Sequence, residues 1–531
     1  MIRSAAAALS LFLAACGVAP ARPSAAPDPR GSAPTRPPLP GASSSPSSGL
    51  PEPPAGLPAA PASCAPLLAS PTEGDCGARP LDALDAALGV EAVTERDARL
   101  AGLESCASFP RGLMRALRAE LAPAECGDAL VEPALAAPPG ALDADVRDAL
   151  TGLGLAARLA RLASEPPRLA APFDKAHFTP YFNEQLAPWI SAQARAIGET
   201  ATSGAKLHGY GLGIVAVEAG VADLRFVELV RDVPLPVELA GDAELKELYY
   251  STLDQVLDPR KDRGRDAALV GLRRFAELGA LADARVDRAR ALLSALYGGR
   301  RIDRLDELLL PALPPLGSAT VEERLAARLP TFYGSRLLPA TAADDPRVLR
   351  ALLERGLPPA VRARLESTAL SAGSRMLYSR ALVRLGELYW RSGDFVKAAA
   401  IAGGSAPDDA GRAEVELIQA VASALEGGPR DAAQMMLEGP LLPRGVGNVA
   451  RLDALARGEG RLAGMAAWNA ALILGLNPPG ASDPGFFRGL AGRYRSAAAR
   501  LDDARTRAEA LARAKSADAV AAAVAKARPT Q

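Results

Sequence analysis

The stretch Tyr378–Ala402, YSRALVRLGELYWRSGDFVKAAAIA, decides how this chain is read. Tyr378, Leu382, Leu385 and Tyr389 recur at the three- and four-residue spacing that lines up side chains on one helix face. Gly393 and Asp394 interrupt that period, and Phe395, Ala398, Ala399 and Ala402 resume it. The pattern predicts two short amphipathic helices joined by a tight turn. Small residues let the two helices approach closely, and aromatics fill the gap between them.

The same residues resemble one tetratricopeptide repeat. Leu385-Gly386, Tyr389, Gly393-Asp394-Phe395 and Ala398 stand where that family's signature wants them, over about 20 of 531 residues. The later positions depart from it, with Ala402 where a large aromatic is usual. A degenerate copy follows at a period of 34 or 35 residues, in which Gly427 or Gly428 answers Gly393 and Ala432 or Ala433 answers Ala398. Leu476-Asn477-Pro478 resembles the close of such a repeat. The resemblance implies an all-α fold, an α-solenoid of stacked helical hairpins, because helix pairs of this kind bury their faces only against neighbours. It also implies a concave groove lined by the first helix of each pair, which makes Arg380, Val383, Glu387, Trp390 and Arg391 the partner-binding positions. Their spacing puts them on one face, offset from Leu382, Leu385 and Tyr389. A tryptophan beside two arginines is the mix that interface hot spots favour. The opposing reading packs Trp390 against the next helix pair.

The chain carries 61 basic and 61 acidic residues, so no net field draws it to nucleic acid, and none is expected as a partner. Beyond Asp258, glycines and prolines fall between amphipathic runs of about 10 to 20 residues. In one run Val286, Ala289, Leu292, Leu293, Leu296 and Tyr297 form the apolar stripe, while Asp287, Arg288 and Arg290 face away. No period-2 run of comparable length occurs, so sheets are not expected. Regions are drawn at 64–165 (helical, with cysteines), 166–260 (helical, aromatic-rich), 261–483 (helical repeats) and 484–531. In the last of these Phe486, Phe487, Leu490 and Tyr494 cap the stack, and an alanine- and arginine-rich helix follows in solvent.

At the N-terminus Arg3 precedes the apolar run Ala5 to Ala14, which Leu13-Ala14-Ala15-Cys16 closes with small residues. The run is too short to span a bilayer permanently. The arrangement resembles a bacterial lipoprotein signal over residues 1–15, which implies cleavage before Cys16 and lipidation of that cysteine. Gly17 in place of aspartate favours the outer membrane by the same resemblance, with the periplasmic or surface face left open. Residues 16–63 are almost wholly proline, alanine, serine and glycine and read as a disordered tether that reaches on the order of 100 Å.

Cys64, Cys76, Cys106 and Cys126 are the remaining cysteines, and an even cluster in an exported chain reads as two disulfides. Three pairings are possible. Helical signals at Thr94 to Ser105 and Arg111 to Leu121 favour Cys64–Cys76 with Cys106–Cys126, if the chain turns back after Pro123. Irregular spacing and distant histidines argue against a metal site.

Residues 173 to 250 hold nine of the 23 aromatics and both histidines, His177 and His208. Ser203-Gly204-Ala205-Lys206 matches the S-x-x-K of penicillin-binding proteins, but the rest of that family's constellation is missing, so no catalytic residue is assigned. Gly209, Gly211 and Gly213 lack the strand and the further spacing of a phosphate loop, and fit close helix packing instead. No cofactor is expected. The expected function is a lipid-anchored envelope scaffold that binds a protein partner through the helical groove. The alternative is an envelope enzyme acting on peptidoglycan or a related polymer through residues 173–250.

Overall fold

The computed structural model describes residues 49–68, 76, 79–138, 140–313, 319–404, 409–442, 446–478 and 483–527. Cys16 and the signal-like segment lie outside them. Within the described residues the protein is all-helical, with an isolated antiparallel bridge between Ala280 and Gly356 and no strand. The principal helices begin with α1 (Pro80–Leu88), α2 (Val93–Leu103), α3 (Arg111–Leu121), α4 (Gly127–Leu135), α5 (Ala144–Arg161) and α6 (Ala187–Gly204). They continue with α7 (Gly209–Arg231), α8 (Ala243–Leu278), α9 (Ala284–Leu296), α10 (Val321–Arg328), α11 (Pro346–Arg355) and α12 (Ala372–Tyr389). The last are α13 (Ser392–Gly403), α14 (Asp409–Leu425), α15 (Val446–Leu455), α16 (Gly460–Leu476), α17 (Pro484–Ala498) and α18 (Ala504–Ala527). No helix among the described residues is long and apolar enough to cross a membrane.

The chain divides into two compact units, Met1–Thr72 with Pro110–Ala268, and Glu73–Phe109 with Leu269–Gln531. These cut across the regions drawn from the sequence: the 64–165 region is shared between them, and the second division falls inside α8.

In the first unit α5 and α7 cross where two glycines meet. A Cβ on Gly211 would lie 2.0 Å from the Asp148 carbonyl oxygen, and one on Gly152 would lie 2.7 Å from Gly211, so the backbones approach as only glycine permits. The glycine series in α7 therefore serves packing. Around this crossing Leu155, Leu159, Ile190, Ile197 and Phe226 form an apolar core. The end of the expected tether belongs to this unit, which corrects its extent. Leu57 packs against the core, and buried Arg158 donates from Nη1 to the Pro51 carbonyl at 2.6 Å. A leucine and an exposed carbonyl are enough to anchor a proline-rich segment that has no helical period of its own.

The disulfides pair Cys64 with Cys126 and Cys76 with Cys106, at Cα separations of 5.4 and 5.6 Å. The favoured pairing, Cys64–Cys76 with Cys106–Cys126, is thereby corrected. Its premise was a hairpin of α2 and α3, but the chain leaves one unit for the other between Phe109 and Pro110, so each cysteine bonds within its own unit.

In the second unit, α1 is held by Asp85, whose carboxylate accepts from Arg324 and Arg328 at 2.8 Å each. The hairpin expected at Tyr378–Ala402 forms as α12 and α13. Ser371 caps α12 by accepting from the Ser374 amide, and the turn is made by Trp390 in the left-handed region, φ 55° and ψ 37°. Gly386 lies under the Phe395 ring, where a Cβ would come within 2.6 Å. The expected stripe of Tyr378, Leu382, Leu385 and Tyr389 is buried. α13 packs on α14, then α15 to α18 follow as packed neighbours. The tail helix α18 is not fully solvated, since Ala510, Ala514 and Ala521 are buried and Arg513 binds Glu307 at 2.8 Å, with its guanidinium 4.8 Å above the Trp468 ring. Alanine at helical spacing is small enough to dock without advertising an apolar stripe.

Candidate functional site

The five positions expected to line a groove separate into two sets. Val383 and Trp390 are buried, which corrects their assignment as partner-binding residues. Trp390 Nε1 donates to the Ile302 carbonyl at 2.7 Å, and Tyr389 Oη donates to the Ala280 carbonyl at 2.8 Å, so the end of α12 is enclosed. Arg391 turns to the frame as well, donating to the Ala276 carbonyl at 3.0 Å and pairing with Asp394 at 3.0 Å. The physical reason is that α12 has helices and the 298–313 segment packed around it, so this face of the helix is core rather than groove.

Arg380 and Glu387 are different. With Arg384 they follow one another at i, i+4 and i+7 along α12 and line a cavity of about 400 Å³. α9 adds Asp287 and Arg290, α11 adds Arg350 and Glu354, and Asp306 comes from the turn at Arg304–Glu307. Leu281, Leu313, Leu353, Leu377 and Leu388 supply the apolar part of the lining. The volume falls in the range of small-ligand sites.

The charges are not fully matched. Arg290, buried, donates to Asp306 through both terminal nitrogens at 2.5 and 3.0 Å, while its Nε is buried without a partner. Arg384 Nη1 donates to Glu387 Oε2 at 2.9 Å, and Arg350 reaches Glu354 at 3.5 Å. Arg380 donates to the Pro311 carbonyl and has no carboxylate partner among the described residues. Burial lowers the Arg380 pKa, and the neighbouring Arg384 lowers it further. Asp287 at the rim has its carboxyl pushed up by burial, with Arg290 opposing. Glu387, only 1% exposed, is pushed up to about 7 by burial, and its Oε1 has no hydrogen-bond partner. A buried carboxylate oxygen without a donor is costly, so the site is electrostatically incomplete as it stands.

Sequence reasoning assigned Asp287 and Arg290 to the solvent face and passed over Arg350, Arg384 and Asp306. The available signal was the charged i, i+4, i+7 series along the first helix of the hairpin, together with Arg350 and Glu354 four apart. In the first unit the candidate motifs have local partners. Ser203 Oγ donates to the Glu199 carbonyl of its own helix at 3.1 Å, and Lys206 lies exposed past the helix end. His177 Nδ1 sits 2.8 Å from its helix cap Asp174, and exposed His208 lies 3.3 Å from Asp148. Among the described residues no group of three or more His, Cys, Asp or Glu is placed to hold a metal ion.

No protein-family model matches this chain, and neither the curated proteins nor the solved structures contain a match to it.

Proposed function

We propose that this chain is a lipid-anchored scaffold of the bacterial cell envelope that binds a protein partner at the charged cavity between α9, α11 and α12. In this reading Cys16 carries the lipid at the outer membrane, the proline-rich stretch after it spaces the folded part from the lipid, and the helical hairpins of the second unit stack in the manner of tetratricopeptide repeats. The observation that carries the binding reading is the cavity lined by Arg380, Arg384 and Glu387. It is large enough for a ligand group, open at a rim formed by Asp287, Asp306 and Glu354, and holds a half-buried guanidinium, Arg380, with no carboxylate partner among the described residues. Binding sites are where such unmet polar demand is tolerated, because a ligand supplies the missing partner. The enzyme alternative through residues 173–250 gains no support from Ser203, His177 or His208, each of which is engaged by a neighbour in its own unit.

The test is site-specific photocrosslinking in the native membrane. A photoreactive residue at Arg384, half exposed on the cavity rim, is expected to yield a discrete protein adduct, whereas one at exposed Arg273 on α8 is not. Equal labelling from both positions, or none from Arg384 in folded, membrane-bound protein, overturns the partner reading. Cys16→Ser is expected to move the protein to the soluble fraction, and unchanged fractionation overturns the anchor.

A further inference from the structure

The charged residues that line the cavity fall into two groups by element: Arg350, Glu354, Arg380, Arg384 and Glu387 from α11 and α12, and Asp287, Arg290 and Asp306 from α9 and the Arg304–Glu307 turn. Within these groups three carboxylate–guanidinium contacts are made: Arg290 with Asp306, Arg384 with Glu387 and Arg350 with Glu354. What is left over is one guanidinium, Arg380 on α12, and one carboxylate, Asp287 on α9. The groups that act electrostatically on Arg380 are Arg384, Glu387, Glu354 and Arg350, and those acting on Asp287 are Arg290, Asp283 and Asp306, with Asp306 also acting on Glu387. Glu387, held partly protonated near neutral pH, leaves the first group more positive.

We propose that this cavity is a bipolar site for a peptide segment that presents a carboxylate and a cationic group together, the carboxylate toward Arg380 and Arg384 and the cation toward Asp287. The inference rests on the cavity being the binding site and adds the chemistry of what enters it. Guanidinium groups in a fork suit a carboxylate, and two such groups on α12 can hold it bidentately. An inorganic anion would satisfy Arg380 and leave Asp287 unmatched, and a simple amine would do the reverse. Leu281, Leu313, Leu353, Leu377 and Leu388 line the same cavity, which suits a peptide with small apolar side chains.

Calorimetry on the full-length Cys16→Ser chain tests this with three probes: trialanine, its N-acetylated form and its C-terminal amide. Trialanine is expected to saturate one site, with each capped form at least tenfold weaker. Asp287→Asn, at the exposed rim, should remove the discrimination against the acetylated form alone, with a thermal melt to verify folding. Arg380→Gln should remove the discrimination against the amide, with the same thermal melt. Capped forms that bind as tightly as trialanine, or the absence of binding by all three, overturn the bipolar site. A crosslinked partner at Arg384 without any charge discrimination leaves the partner reading standing and sinks this one. Discriminating binding of trialanine without an adduct does the opposite.

Discussion

Arg384 and Glu387 stand one helical turn apart on α12 and share a 2.9 Å hydrogen bond to Oε2, which leaves Oε1 of the same carboxylate buried with no donor. Burial is the dominant influence and pushes the Glu387 carboxyl from 4.5 to about 7, with Arg384 opposing. The sign of the consequence is fixed by linkage. The unfolded chain loses this proton near its ordinary value and the folded chain keeps it to about pH 7, so in that window the native state binds more protons and stability falls as pH rises. Glu387→Gln has no proton to lose. The stability of the Gln variant relative to the parent is therefore expected to rise between pH 4.5 and 7.5, by on the order of 3 kcal/mol. Urea melts of both proteins across that range measure it. A difference that stays flat with pH would show that Glu387 titrates as an exposed carboxylate.

Trp390 sits in the left-handed turn, 2% exposed, with its indole nitrogen on the Ile302 carbonyl at 2.7 Å. Trp390→Ala is expected to cost about 3–5 kcal/mol through the cavity it leaves. Trp390→Phe keeps much of the ring and loses the donor, which should cost about 1–3 kcal/mol. Denaturation midpoints of the two variants separate packing from hydrogen bonding. A change below 1 kcal/mol for the alanine variant would place Trp390 on a surface and restore it as a partner anchor.

The covalent frame makes a separate prediction. A non-reduced digest of the protein isolated from its native compartment should contain the Cys64–Cys126 and Cys76–Cys106 linked peptides by mass spectrometry, at Cα distances that both pairs satisfy. Peptides joining Cys64 to Cys76 would overturn the division of residues 73–109 from their chain neighbours.

Helix content was legible in the sequence because the period of Tyr378, Leu382, Leu385 and Tyr389 is a local property, and that stripe is buried as read. The cavity was less legible. Arg380 and Glu387 were named from the resemblance to a tetratricopeptide repeat, and helical spacing gives a face and not what covers it, so Val383 and Trp390 were assigned to a groove that other segments fill. Arg290 was assigned outward because arginine normally favours solvent, and its partners Asp306 and the Ile302 carbonyl, 16 and 12 residues on, make its burial tolerable. Asp85 with Arg324 and Arg328 is the same lesson at longer range, a pairing across 239 and 243 residues that assigns α1 to the second unit.

Two glycines of the same signature are expected to respond oppositely to alanine. Gly386 and Gly393 both stand at positions where the tetratricopeptide pattern wants a small residue, yet their surroundings differ. At Gly386, within α12, a Cβ would come within 2.6 Å of the Phe395 ring, and that ring is itself buried and cannot swing clear. Alanine there must push the two helices of the hairpin apart, at roughly 1–3 kcal/mol. At Gly393, exposed in the first turn of α13, nothing lies within 4 Å of an added Cβ, and the backbone is outside the positive-φ region. Alanine there restricts the unfolded chain without cost to the native one and should leave stability unchanged or raise it by up to about 1 kcal/mol. Paired thermal melts of Gly386→Ala and Gly393→Ala decide the matter. Equal destabilisation by both would mean that the turn, and not the contact with Phe395, sets how close α12 and α13 can pack.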